Sequence, residues 1–293
     1  MIVLSLFNGM STGHTALNNV GIKVDKYYSS EIKPCAIKLT QHHYPDTIQL
    51  GDVTKWKEWD IDWKNIDMVL SGSPCQDLSI AGSRKGLKGD RSSLFWVFVD
   101  ILNYVKSFNP NVLFLQENVG SAPKSDVGEM SRALGVYPIR INSSLVTAQL
   151  RDRYYWSNIR TRKDGLFGDL VTDIPLPKDR KIMFKDIITD GVVKVDKSVC
   201  LMERTIASAN YKNIKSYKAQ KFLKGREDRS MMSLIYEDDG DMRLPNKIEL
   251  CRLQGFKDDW CDIITHTETG SLIGDGWTLP IIEHIFSFIK KGE

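Results

Sequence analysis

A chain of 293 residues, 42% of them hydrophobic, is long enough to bury a sizeable core in one large domain or in a domain with a smaller lobe. Its five cysteines have no C-x-x-C spacing, which argues against a disulfide framework and a structural zinc site, so we expect a reducing, cytoplasmic setting and no metal. The net charge of +3 is too small to indicate a class of partner, and no apolar stretch is long enough to span a membrane.

The first half of the chain alternates short, β-rich apolar runs with helical patterns, which predicts a doubly wound α/β sheet. The predicted strands are Ile2 to Phe7, Lys26 to Ile32, Met68 to Ser71, Val112 to Gln116, Val136 to Ile141 and Tyr154 to Asn158. The first run lacks the basic leader of a signal peptide and is therefore interpreted as a buried strand. Apolar residues at helical spacing from Leu94 to Val105 predict a helix that Asp90 or Ser92 caps and Asn109-Pro110 ends.

The alternation stops after about Ile159, where prolines, polar turns and a lysine-rich stretch follow. A helical pattern returns from Pro245, and Leu279 to Ile289 is strongly apolar. We therefore expect a first domain over residues 1–160, a second lobe over 161–244, and a segment 245–293 that returns to the first domain.

The first strand leads into S-L-F-N-G-M-S-T-G, whose glycines allow a ligand to approach the backbone at the carboxyl end of a strand. Glu31, about 20 residues later, can accept hydrogen bonds from ribose hydroxyls, and Asp52 can bind an adenine amino group. A lone glycine turn is often only a turn. The glycine-containing loop, Glu31 and Asp52 follow one another in the order expected of a nucleotide site, and together they favour a nucleotide-like cofactor.

The third strand leads into G-S-P-C-Q-D-L-S, which places Cys75 at the carboxyl end of a strand, where α/β folds bind ligands. An inert buried cysteine is the commoner occurrence. Pro74 fixes the backbone beside it, however, and Glu117 in Q-E-N-V follows the fourth strand at the same edge. A nucleophilic thiolate and a carboxyl group able to act as a general acid are thus predicted in one site.

The order of these motifs resembles that of the DNA (cytosine-5) methyltransferases, and most nearly that of their animal de novo branch. The resemblance covers nearly the whole chain and rests on F-N-G-M-S-T-G, S-S-E-I, G-D-V, S-P-C-Q-D-L-S, E-N-V, Q-L-R-D-R-Y-Y-W, R-L-Q-G-F and G-D-G-W. Two positions depart from the common family pattern. Ser11 stands where many members have glycine, and Gly274-Asp275-Gly276-Trp277 replaces Gly-Asn-Ser or Gly-Asn-Ala.

The resemblance implies a Rossmann-like fold that binds S-adenosylmethionine and releases S-adenosylhomocysteine. The implied cofactor contacts are Phe7, Gly9, Thr12, Glu31, Ile32, Asp52, Val53, Leu94 and Trp277. The implied catalytic residues are Cys75, Glu117, Arg151 and Arg153, with Pro74, Gln76, Ser79 and Asn118 at the substrate. Residues 1–160 would then be catalytic, 161–244 would recognise the target, and 245–293 would complete the catalytic domain.

The implied chemistry is the addition of Cys75 to carbon 6 of a flipped-out cytosine, with Glu117 protonating ring nitrogen 3. Arg151 and Arg153, two apart on a strand, are expected to point to the same side and to bind the base carbonyl oxygen and a phosphate. Double-stranded DNA is the expected partner, since contacts to the duplex must offset the free energy needed to extrude a base.

Residues 178–229 hold 14 Lys and Arg against 7 Asp and Glu, a surplus of +7, while the rest of the chain carries −4. Lys212, Lys215, Lys218, Lys221 and Lys224 recur about three apart. They form either a solvated helix face or a phosphate-binding surface.

Three other functions compete with this hypothesis. An RNA-modifying branch of the family carries a Cys-Phe-Thr signature, which this sequence lacks. A catalytically silent DNA-binding regulator would typically lose Pro-Cys or Glu-Asn-Val, and this chain keeps both. A dinucleotide oxidoreductase would carry the G-x-G-x-x-G fingerprint, which is absent here. Because the first motif begins almost at Met1, we expect a stand-alone bacterial or phage enzyme, for which a companion restriction endonuclease is a natural partner.

Overall fold

The computed structural model describes residues 1–74, 93–166, 168–201, 221 and 233–290. It divides into two compact units. The first unit comprises Met1–Ile141, Asp152–Leu176 and Ile282–Glu293, and the second comprises Asn142–Arg151 and Pro177–Ile281. This division differs from the expected one, because the second unit includes residues 245–281 and the first includes 161–176. The functional assignment of these segments stays a prediction.

A seven-stranded sheet forms the centre of the first unit. Its strands are β1 (Ile2–Leu6), β2 (Lys26–Ser30), β3 (Ile48–Gln49), β4 (Met68–Ser71), β5 (Leu113–Val119), β6 (Ile139–Asn142) and β7 (Asp152–Ser157). Their order is β3-β2-β1-β4-β5-β7-β6. The pairs from β3 to β5 are parallel, whereas β7 runs antiparallel to β5.

Burial on both faces explains why these sequences form central strands. Val3, Leu4 and Leu6 in β1 are at most 1% exposed, and all residues of β4 are buried. Such continuous apolar runs are typical of parallel strands covered by helices on both sides. The chain leaves β1 toward β2 on one side and later returns to place β4 on its other side, which creates a topological switch point between β1 and β4. Ligands in such sheets bind outside the carboxyl ends of the strands at this point.

Helices of the first unit cover this sheet. They are α1 (Thr12–Asn19), α2 (Pro34–His43), α3 (Ser93–Phe108) and α4 (Lys124–Leu134). The predicted helix is confirmed as α3, with Phe98, Ile101 and Val105 fully buried and its end directly before Asn109. The expected caps of α3, Asp90 and Ser92, lie outside the described residues.

Two short hairpins and further helices lie outside the central sheet. In the first unit β8 (Thr161–Asp164) pairs with β9 (Asp169–Thr172), and in the second β10 (Ile235–Tyr236) pairs with β11 (Met242–Arg243). The second unit also contains α5 (Lys247–Gln254) and α6 (His266–Asp275), and the apolar α7 (Leu279–Phe286) leads back into the first. Within the described ranges, no helix is both long and apolar enough to cross a membrane.

Candidate active site

The loop after β1 has an unusual backbone. Phe7, Gly9 and Ser11 adopt left-handed conformations with φ of 57°, 55° and 57°. Glycine tolerates this region, but a residue with a side chain pays roughly 1–2 kcal/mol there. Strain of this kind persists only where the surroundings hold it, and it is concentrated at ligand sites.

A buried polar network holds the loop from below. The Asn8 Nδ2 donates to Ser11 Oγ at 2.8 Å and to Thr40 Oγ1 at 3.2 Å, and the two hydroxyls lie 2.7 Å apart. Tyr27 from β2 donates its hydroxyl to Asn8 Oδ1 at 3.1 Å. These bonds from β2 and α2 support the left-handed conformation of Ser11.

Glu31 joins this loop to the end of β2. Its Oε2 accepts the Gly9 N–H at 2.8 Å, and its Oε1 accepts the N–H groups of Ile32 and Lys33 at 2.8 and 2.9 Å. The neighbouring Ile32 side chain is 69% exposed. A carboxylate with remaining acceptor capacity thus lies beside an open aliphatic surface, which suits a ribose and an adenine ring respectively.

Asp52 begins the short 3₁₀ helix Val53–Glu58 at the same edge of the sheet. Its Oδ1 accepts the backbone N–H and the hydroxyl of Thr54 at 2.9 and 2.8 Å, and these bonds lower the pKa of the carboxyl group, the backbone bond most. The Asp52 side chain is exposed while Val53 is buried. Asp52 is therefore an ionised, accessible acceptor.

The end of β5 places a carboxylate beside a guanidinium. Glu117 Oε1 lies 2.8 Å from Nε of Arg153 on the paired strand β7, and the two side chains are only 10% and 12% exposed. The structure therefore brings together Glu117 and Arg153, which the sequence places 36 residues apart. The next residue, Asn118, is buried, and its Nδ2 has no hydrogen-bond partner among the described residues.

The predicted nucleophile follows β4. Pro74 is half-buried and is the last described residue before position 93, so Cys75, Gln76 and Ser79 lie outside the described residues. Leu94 lies on the first turn of α3 and packs, partly buried, against the hydrophobic core.

Arg151 has different partners from Arg153. Its Nη2 donates to the carbonyl oxygens of Gly274 and Gly276 at 3.0 and 2.8 Å, and the residue is 3% exposed. Arg153 lies on β7, which begins at Asp152, and Arg151 directly precedes that strand, so the expectation that both arginines bind the substrate from one side stays a prediction. Arg151 fixes the turn that carries Trp277.

The second unit brings three of the sequence motifs together. Besides the Arg151 bonds, Gln149 Nε2 contacts the Leu253 carbonyl at 3.4 Å, and Gln254 Nε2 donates to the carbonyls of Ile273 and Gly276 at 2.8 and 3.1 Å. Motif recognition alone did not assign a role to Gln254, although R-L-Q-G-F contains it. Trp277 is half-buried in this unit, and its predicted cofactor contact stays a prediction.

Comparisons with known proteins agree with this arrangement. A model of the family described as C-5 cytosine-specific DNA methylase matches residues 1–134. The orphan methyltransferase M.SPRI of Bacillus phage SPR is 32% identical over 237 residues, 76% of this chain and 48% of the relative. Over residues 1–134 the chain is therefore similar to the C-5 cytosine-specific DNA methylase family, and over 76% of its length it is similar to this phage methyltransferase.

Other members of the family match over different extents. The type II methyltransferase M1.ScrFI of Lactococcus lactis subsp. cremoris is 27% identical over 90% of this chain and 71% of its own length. The chain spans about half or less of the first relatives it matches, 48% of the phage enzyme and 31% of the Neisseria gonorrhoeae enzyme M.NgoBV.

Solved structures share the fold over nearly the whole chain. The Entamoeba histolytica methyltransferase EhMeth superposes with a TM-score of 0.67 at 15% identity, covering 99% of this chain and 97% of its own. The Dnmt2 methyltransferase of S. pombe superposes with a TM-score of 0.62 at 14% identity, covering 99% of this chain and 98% of its own. The predicted α/β, Rossmann-like fold class is thereby confirmed.

Proposed function

We propose that this protein is a DNA (cytosine-5) methyltransferase that methylates carbon 5 of a cytosine extruded from duplex DNA. The observation that carries the proposal is the buried pair of Glu117 and Arg153 at the end of β5, next to the strand that leads into Pro74-Cys75. Similarity to the C-5 cytosine-specific DNA methylase family supplies the reaction class. The pair lies near the carboxyl end of β5, at the edge where parallel sheets bind ligands.

The loop after β1 and its surroundings fit S-adenosylmethionine. In this proposal Gly9, Thr12 and Phe7 contact the donor from the loop and α1, while Glu31 holds the ribose and Ile32 the adenine face. Asp52 and Val53 bind the adenine edge, and Leu94 and Trp277 complete the site. The exposed aliphatic surface of Ile32 beside the Glu31 carboxylate supports this assignment.

The protein residues activate the cytosine ring. The Cys75 thiolate adds to carbon 6 while Glu117 donates a proton to ring nitrogen 3, so that carbon 5 becomes nucleophilic. Such proton donation contributes roughly 10²–10⁴-fold in rate. S-adenosylmethionine, when bound, supplies the electrophilic methyl group and becomes S-adenosylhomocysteine. Loss of the carbon 5 proton, departure of the Cys75 thiolate and return of the nitrogen 3 proton to Glu117 then restore the aromatic ring and the enzyme.

Arg153 and Arg151 have different partners within the protein. Arg153 orients the Glu117 carboxyl group and offers N–H donors to the carbonyl oxygen of the base. Arg151 donates to the carbonyl oxygens of Gly274 and Gly276 just before Trp277, and it is assigned together with Arg153 to the base carbonyl oxygen and a phosphate. Pro74, Gln76, Ser79 and Asn118 are assigned to the substrate side of the site.

Duplex DNA is the proposed substrate. Extruding a base from the duplex costs about a few kcal/mol. Phosphate contacts from the basic segment 178–229 would offset this free energy. Of its five regularly spaced lysines only Lys221 is described, and it is exposed. The relatives named type II methyltransferases support a restriction-modification setting, in which a companion endonuclease is the proposed partner.

Bisulfite sequencing tests the proposed function. DNA from cells without other cytosine methyltransferases, expressing either the wild-type protein or Cys75→Ser, is compared with RNA from the same cells. We expect protected cytosines in one sequence context of the wild-type DNA and none with the variant. Protection confined to RNA, or equal protection with both proteins, would overturn the proposal.

A further inference from the structure

Gln116 connects the two segments that carry the proposed catalytic groups. The parallel ladder between β4 and β5 ends with Ser71 opposite Gln116. Beyond that point the Gln116 side chain continues the connection, since its Nε2 donates to Ser73 Oγ at 2.9 Å and to the Glu117 carbonyl oxygen at 2.7 Å. Gln116 is fully buried and Ser73 is 4% exposed.

The chemistry of the partners fixes the orientation of this amide. The Glu117 carbonyl oxygen can only accept a hydrogen bond, so the NH₂ group rather than the carbonyl end of the amide must face it. Its second hydrogen then goes to the Ser73 hydroxyl. The NH₂ group thus donates one hydrogen to Ser73 and the other to Glu117. Both hydrogen bonds are buried, and a low-dielectric interior strengthens them.

The connection lies close to the reacting groups along the chain. Ser73 precedes Cys75 by two residues, a span of roughly 7 Å at most. The other bond holds the backbone of Glu117 itself, whose carboxylate is held separately by Arg153. One rigid amide thus sets the start of the nucleophile segment relative to the residue that carries the proton donor.

We propose that Gln116 is a positioning residue that fixes Ser73, two residues before Cys75 in the sequence, relative to Glu117; this inference rests on the proposed function. Catalysis that requires two groups to act on opposite atoms of one ring is sensitive to such placement, and a shift of about 1 Å can cost 10²-fold in rate. Binding of S-adenosylmethionine and of DNA involves other residues and should be insensitive to it.

Three variants separate this role from simple loss of stability. Ser73→Ala removes only the acceptor hydroxyl, and Gln116→Met removes the amide while retaining the length of the side chain. Ser157→Ala is the matched control, because the Ser157 hydroxyl is also buried on the neighbouring strand β7. It donates to the Phe114 carbonyl at 2.7 Å and accepts the Ile159 N–H at 3.2 Å, and neither bond involves Ser73 or Gln116. The double variant Ser73→Ala/Gln116→Met tests whether the two side chains act through each other.

The measurement is the single-turnover methylation rate at saturating S-adenosylmethionine on a duplex carrying the target found by bisulfite sequencing. We expect Ser73→Ala to be slower by about fivefold to tenfold, the loss of one hydrogen bond expressed as rate, with both Kd values within about twofold. Gln116→Met should be slower still and the double variant no slower than Gln116→Met, while Ser157→Ala keeps the wild-type rate.

Several results distinguish the inference from the function on which it rests. If wild type methylates DNA and Ser73→Ala does so at the same rate, or if Ser157→Ala is slowed equally, the positioning role is refuted. Additive losses in the double variant also refute it. A wild-type protein that fails to methylate any duplex in a random pool refutes the proposed function instead. Ser73→Ala decides the matter even if Gln116→Met fails to fold.

Discussion

Replacing Thr40 with valine should weaken S-adenosylmethionine binding although Thr40 is not one of the proposed donor contacts. Thr40 is buried on α2, and its hydroxyl bonds Ser11 at 2.7 Å and Asn8 at 3.2 Å beneath the left-handed loop. Valine has nearly the same shape but no hydroxyl, so the change removes both bonds without opening a cavity.

The size of the effect follows from these two bonds. Each buried hydrogen bond contributes about 0.5–1.5 kcal/mol net, and the loop must hold Phe7 and Ser11 in conformations that cost roughly 1–2 kcal/mol each. Losing the support lets the loop relax from the conformation that binds the donor. If about 1 kcal/mol of this falls on the binding step, Kd rises about fivefold.

Titration calorimetry with S-adenosylmethionine and S-adenosylhomocysteine measures this effect. Thr47→Val is the matched control, because Thr47 is also a buried threonine whose hydroxyl has no hydrogen-bond partner among the described residues. Thr47→Val should leave Kd unchanged. A Thr40→Val protein with wild-type affinity for both ligands would refute the reasoning that the network holds the loop ready for the donor.

Two further predictions concern stability. Gly255 has φ of +80°, and a Cβ at this position would lie 2.3 Å from Cδ of Pro280. Gly255→Ala should therefore lower the free energy of unfolding, measured by urea titration, by about 2–4 kcal/mol. A loss below about 1 kcal/mol would contradict this prediction. Burial between Tyr27 and Tyr44 lowers the pKa of His14 from 6.5 to about 4. Between pH 6.5 and about 4, His14 is protonated in the unfolded chain but neutral in the folded protein. The free energy of unfolding should therefore fall as the pH drops from 6.5 toward 4, and it should fall less steeply in His14→Phe. Equal slopes for the two proteins would show that His14 does not contribute.

The buried strands were predictable because their signal is local. β1, β2 and β4 begin where the apolar runs predict and end within two residues of them. β3 escaped prediction because Ile48–Gln49 is only two residues long and Ile48 is 41% exposed, so pairing with β2, not sequence pattern, makes it a strand. The hairpin of β8 and β9 was missed for the same reason, since nearly all its residues are exposed and polar.

The site was predictable as far as motifs extend. Glu31 follows β2 as expected, whereas β5 extends to Val119 and so contains Glu117 near its carboxyl end. Asp52 follows β3, a strand that the sequence did not predict. The carboxyl ends of these parallel strands meet at one edge of the sheet. The supporting contacts were not predictable: Asn8 reaches Thr40 across 32 residues and Gln116 reaches Ser73 across 43, and no periodicity indicates such pairs.

The central claim is that Cys75 forms a covalent bond with carbon 6 of the target cytosine. A pool of duplexes with 5-fluorocytosine at the target position tests it most directly, because the methyl group can be added but fluorine cannot leave as a proton does. We expect an adduct of wild-type protein that survives denaturing electrophoresis only when S-adenosylmethionine is present, and none with Cys75→Ser. Cys75→Ser protein that still methylates DNA as well as wild type would contradict the account.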